Sequence, residues 1–85
     1  RMSNFKDEKS EILTIFMEEC SEAIQEASKM LRFGNNPTEL EREIGDLFAM
    51  IQIMKERNWI NYEVMTNYAK KKREKLKEWS DLTNL

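Results

Sequence analysis

Histidine is absent from this 85-residue chain. Its absence excludes Ser-His and Cys-His nucleophile pairs, His-ligated zinc and any imidazole acid–base step. Cysteine occurs once, at Cys20, so no intramolecular disulfide can form, and the expected setting is the reducing cytoplasm. No run of about 18 apolar residues and no signal-peptide pattern is present, so neither a membrane span nor export is expected. Charge of one sign is not in excess either: 14 Lys and Arg face 16 Asp and Glu, a net of −2. That balance argues against a dedicated nucleic-acid binder while leaving room for a local basic patch. Helix breakers are scarce, with one Pro and two Gly. What remains is rich in Glu, Lys, Leu, Met, Ala and Gln, which points to an all-α chain of one small domain.

Three helical stretches are expected, over a domain spanning residues 2–80. The first runs from about Asp7 to Met30–Phe33. Its apolar residues Ile12, Leu13, Phe16, Cys20, Ala23, Ile24, Ala27, Met30 and Leu31 recur at three- and four-residue steps. Gly34, Asn35 and Asn36 end it. The second helix has Asn36 as cap, Pro37 at its first position and Glu39 as the partner in a capping box. Its stripe is Leu40, Ile44, Leu47, Phe48, Ile51 and Met54, and it should fray near Arg57–Asn58. A third helix starts after Asn61, with Val64, Met65, Tyr68, Ala69, Leu76 and Trp79 on one side. Little is expected to hold the tail, 81–85. The architecture predicted is an antiparallel helical hairpin plus a third helix. So small a core barely exceeds the entropy lost on folding, so completion as an oligomeric helix bundle, a homodimer or homotetramer, is expected.

Acidic residues concentrate on the first two helices. The pairs Glu19/Glu22 and Glu43/Asp46 are each spaced i, i+3 and share a helix face. Such pairs commonly just make a solvated face. Here, at 100° per residue, Glu19 and Glu22 lie roughly 90–150° to one side of the first stripe, and Glu43 and Asp46 roughly 60–120° from the second, in the same rotational sense. In an antiparallel pair, flanks of equal sense fall on the same side, so all four carboxylates border one groove. Their heights match less well: an unbroken first helix sets its acids about 7 Å further from the turn. A stop near Met30, or a tilt, would remove most of that offset. Four crowded carboxylates call for a hard cation, and an oxygen-only set favours Mg²⁺, with Mn²⁺ as a substitute. Mg²⁺ held by carboxylates commonly meets its substrate through phosphates.

Glu18-Glu19-Cys20-Ser21-Glu22, 20 intervening residues and then Glu43-Ile44-Gly45-Asp46 read as E-E-x-x-E…E-x-x-D. This resembles the MazG-like all-α nucleoside triphosphate pyrophosphohydrolases, relatives of the dimeric dUTPases. Lys29-Met30-Leu31-Arg32-Phe33-Gly34 is similar to the K-x-L-R-F-G stretch of their small phage and mobile-element members, and the likeness covers roughly Phe16 to Trp79. It implies Mg²⁺-dependent hydrolysis of a (deoxy)nucleoside triphosphate to monophosphate and pyrophosphate, as nucleotide-pool housekeeping. Glu19, Glu22, Glu43 and Asp46 would hold the metal, and Glu18 and Glu19 are the catalytic candidates, Glu18 by orienting a water or a metal ligand. The short connection after Gly34 departs from the longer ones of many relatives, so base-binding elements would be reduced or come from a neighbouring subunit.

Lys70 to Lys77 is the one strongly basic run. Lys72 falls on the apolar stripe of the third helix and must snorkel or meet an anion; Lys72, then Lys75, are candidate phosphate ligands by the same resemblance. Lys29 and Arg32 are candidate substrate contacts, or salt-bridge partners of Glu26 and Glu39. Trp59 and Trp79 read as core or interface anchors, and Cys20 as a small core residue. Two other readings stand beside the hydrolase: a non-catalytic oligomerisation or adaptor module, and a nucleic-acid binder using Lys70–Lys77.

Overall fold

A computed structural model describes residues 7–34 and 37–85. The chain is all-α: α1 (Glu8–Phe33), α2 (Pro37–Glu56) and α3 (Tyr62–Trp79), with no strand among the described residues. It forms two compact units, Arg1–Met54 and Lys55–Leu85.

Helix α1 starts where local chemistry dictates. Asp7 sits in extended backbone and its side chain accepts from the Ser10 N–H at 2.7 Å. Glu8 and Glu11 lie in the first turn, where negative charge favours the helix dipole. At the other end Gly34 takes φ +105°, a conformation only glycine enters freely, and donates its N–H to the Met30 carbonyl at 3.1 Å. The expected Asn36 cap lies outside the described residues, and Glu39 ion-pairs with Arg42 at 2.7 Å. Helix α2 ends at Glu56. Beyond it Asn58 adopts φ +61°, a left-handed conformation that Asn tolerates better than most residues.

The inner face of α1 follows a strict alternation of four- and three-residue steps: Ile12, Phe16, Glu19, Ala23, Glu26 and Met30 are all buried or half-buried. The same is true of Leu40, Glu43, Leu47, Met50 and Met54 on α2. Among the described residues Ile12, Met50 and Met54 are the buried hydrophobic core, at 6%, 7% and 7% exposure. This corrects the expected stripes. Leu13, Ile24, Ala27, Leu31, Ile44 and Phe48, expected to face inward, are exposed, whereas Met50, absent from the expected set, is buried. Cys20 is a free, half-buried thiol and not a core residue. The physical reason is width: each helix carries more apolar surface than one helix–helix contact can cover, and the contact uses only one edge of it.

The second unit is organised around α3, whose cap is the expected one: Asn61 Oδ1 accepts from the Val64 N–H at 3.1 Å. Met65 and Leu76 are half-buried, but no residue of α3 is fully buried. The tail is tied back: Arg73 donates to the Leu85 carbonyl at 3.0 Å, and Ser80 Oγ accepts from the Leu82 N–H at 3.2 Å.

Candidate metal centre

Glu19, Glu22, Glu43 and Asp46 meet. One carboxylate oxygen from each lies within 4.8 Å of the others. Helix periodicity explains the pairing: residues three apart sit one above the other on the same face, so each helix presents a vertical pair. Helices α1 and α2 lay the two pairs side by side. The axial offset expected from the helix lengths does not separate them. Nor does an early stop remove it, since α1 runs unbroken to Phe33. Leu31 and Phe33, in the last turn of α1, are instead left 89% and 78% exposed.

The cluster sits deeper than a groove flank. Glu19 and Glu43 occupy inner-line positions that Leu or Met would ordinarily fill, and both are half-buried; Glu22 and Asp46 are exposed. Glu19 Oε2 and Glu43 Oε2 are each buried with no hydrogen-bond partner. Buried polar oxygens without a partner are costly and uncommon. The electrostatics follow. Burial holds the Glu19 carboxyl above its ordinary range, reinforced by the charges of Glu22, Asp46 and Glu18 and by a hydrogen bond with Glu22. Glu43 is pushed up to about 7, first by a hydrogen bond with the Glu22 carboxyl, then by burial and by the charges of Glu22, Asp46 and Glu19. Either protons or a cation must neutralise such a site. The donor set fits a hard divalent ion: four carboxylates, two of them exposed enough to leave room for water or a ligand oxygen, and no sulfur or nitrogen.

Other candidates separate clearly. Glu18 is exposed and outside the four-acid cage, though its charge is felt by Glu19. Lys29 pairs with Glu26 at 3.2 Å, and Glu26 keeps only 17% of its side-chain exposure. Arg32 lies 4.9 Å from the ring centre of its neighbour Phe33. In the second unit, the Lys72 ammonium stands 5.2 Å over the Trp79 ring, and Lys71 5.3 Å over Tyr68. Lys72 therefore snorkels along its own helix, as its stripe position demands. Lys75 is exposed, Trp79 is 64% exposed and Trp59 is half-buried. What sequence reasoning missed is that Glu19, Glu26 and Glu43 lie on the inner line. The alternating three–four spacing of Ile12 through Met30 and of Leu40 through Met54 carries that signal.

No family model, curated relative or solved structure matches the chain. No helix among the described residues is long and apolar enough to cross a membrane.

Proposed function

We propose that the chain is a Mg²⁺-dependent hydrolase that converts (deoxy)nucleoside triphosphates to monophosphate and pyrophosphate. The observation that carries this is the four-carboxylate cage, with two buried oxygens lacking any partner. Glu19, Glu22, Glu43 and Asp46 hold the ion; Mn²⁺ can replace it. When bound, it would offset the charge of the triphosphate and lower the pKa of an attacking water.

The chain's own groups have distinct tasks. Glu19 and Glu43 lock the inner side of the site through the helix contact, while exposed Glu22 and Asp46 face the substrate side. Glu18, one residue from the cage, orients the attacking water. Lys29 is committed to Glu26, and the Lys72 ammonium to the Trp79 ring. The protein acts in the cytoplasm as a homo-oligomer clearing nucleotides from the pool. An adaptor reading draws on the exposed apolar side chains, but it leaves unexplained why two acids occupy core positions. A nucleic-acid reading loses force because Lys71 and Lys72 already stand over aromatic rings of their own helix.

The decisive experiment measures pyrophosphate release from a panel of ribo- and deoxynucleoside triphosphates, with Mg²⁺ and with chelator. Glu19→Gln and Asp46→Asn are each expected to lower turnover by roughly 10²-fold or more. Full activity in both variants would refute the site, and no turnover of any nucleotide would refute the reaction.

A further inference from the structure

Helix α3 carries its basic residues on two separate faces. At 100° per residue, with Tyr68 as zero, Lys75 and Trp79 fall about 20° away on either side, Val64 and Lys72 about 40°, and Lys71 about 60°. All six are exposed, with Val64 at 51%, Tyr68 at 65% and Trp79 at 64%. Lys70, Arg73 and Lys77 lie about 140° or more from Tyr68, on the back of the helix. The three acids of α3 are also off the strip: Glu78 lies about 80° from its centre, Glu74 about 120° and Glu63 about 140°.

The two sets of cations are engaged differently. On the back, Lys77 pairs with Glu74 at 3.0 Å, and Arg73 donates to the Leu85 carbonyl at 3.0 Å. On the strip, cations meet rings: Lys71 stands 5.3 Å over Tyr68 and Lys72 5.2 Å over Trp79. No ion pair among the described residues takes up Lys71, Lys72 or Lys75. The two rings are about 17 Å apart along the axis, and the three lysines lie between them. The complement of such a strip is negatively charged and partly apolar. A bilayer interface with anionic headgroups offers both properties: Trp and Tyr settle at headgroup depth, and lysine stems snorkel outward from there. Single-stranded nucleic acid stacks its bases on free ring faces, and here ammonium groups stand over those faces.

We propose that this strip of α3 docks on the surface of an anionic bilayer. The helix lies in the interface plane, with Tyr68 and Trp79 at headgroup depth and Lys71, Lys72 and Lys75 against the anionic headgroups. The contact is peripheral, since no helix among the described residues is long and apolar enough to cross a membrane. It is also local. The whole chain carries −2, so attraction comes only from cations within a Debye length of the surface, about 8–10 Å at physiological salt. Each lysine then contributes about a fivefold change in partition. Docking does not depend on hydrolysis: an inactive chain can bind lipid, and an active one can fail to.

Co-sedimentation of the full chain with phosphatidylcholine vesicles, pure or containing roughly 30% phosphatidylserine, tests it. Binding is expected to the anionic vesicles alone at about 50 mM NaCl, and should be lost by about 500 mM. In Trp59→Phe, which leaves Trp79 as the single tryptophan, emission should shift to the blue on binding. Lys71→Gln with Lys75→Gln should lower the partition roughly 20- to 30-fold. Lys70→Gln with Lys77→Gln, an equal change of charge on the back of α3, should lower it less than about threefold. Circular dichroism checks that helix content persists; if a double variant loses it, Lys75→Gln alone should still lower the partition about fivefold. No binding to anionic vesicles at the lower salt overturns the proposal, as do equal binding to both lipids, equal losses from the two double variants, or a Trp79 emission that stays put in the bound chain. Capture of a single-stranded oligonucleotide in place of vesicles overturns it too, and assigns the strip to nucleic acid.

Discussion

Glu43→Gln turns the electrostatics of the cage into a sign reversal. In the folded protein the Glu43 carboxyl is pushed up to about 7, from an ordinary value of about 4.5. Between those values the native state binds more protons than the unfolded one, so stability falls as pH rises through the window. Near pH 6 the excess is about 0.9 proton, and by pH 8 it has shrunk to about 0.1. In chelator, wild-type melting temperature should therefore drop between pH 5 and 8 and then level. Glutamine keeps the shape but carries no titrating proton, so the variant should lack this component; the other carboxyls titrate in both proteins and largely cancel in the difference. Above pH 8 without metal, the variant should be the more stable protein. Mg²⁺ inverts the order, because the ion stabilises only the cage with its full set of carboxylates. At ten times Kd the wild type gains about 1.4 kcal/mol, or roughly 6–11 °C for a domain this small, and the variant far less. Thermal unfolding at each pH, with EDTA and with Mg²⁺, reads both effects. A wild-type curve parallel to that of Glu43→Gln from pH 5 to 8 would show that the raised carboxyl is not Glu43. Equal Mg²⁺ responses would show that no ion depends on it.

Two further outcomes follow from the packing and from the Lys29 pair. Ile12→Ala empties one of the buried core positions among the described residues and should cost about 2–5 kcal/mol in urea unfolding, enough to unfold much of the sample at 37 °C; a loss under 1 kcal/mol would mean the inner line is not the core. Lys29→Gln, which breaks the pair with Glu26, should leave KM for the triphosphate nearly unchanged; a rise of roughly 10-fold or more in a steady-state assay would move substrate contacts to α1.

The elements were legible because their punctuation is local. Asp7, Gly34 and Asn61 act within three or four residues of themselves, and a sequence displays such neighbours directly. The four acids were legible too, since i, i+3 spacing on two helices joined by a short connection nearly dictates their meeting. Which edge of each apolar surface turns inward was not legible. Leu13, Ile24 and Leu31 are as hydrophobic as Ile12, Phe16 and Met30, so composition cannot choose between the two lines on α1. The choice depends on α2, where Leu40, Leu47, Met50 and Met54 outweigh Ile44 and Phe48. Pairing of the heavier line on α2 then draws Glu43 inside with it. Expectation placed the acids beside the contact because it averaged two distinct lines into one broad stripe.

That averaging conceals a cost the chain bears for a reason. A hairpin built only for stability would turn its fully apolar line inward, Leu13 through Leu31, and leave Glu19 and Glu43 in water. The observed register does the opposite: it buries carboxylate oxygens without partners and exposes Met17, Ile24 and Phe48. Local propensity and global packing usually agree, and where they part a functional constraint is the expected cause. The constraint that fits is the proposed cation site: an ion held by Glu19, Glu22, Glu43 and Asp46 would neutralise the acids that this register draws onto the inner line, where Leu or Met would otherwise sit.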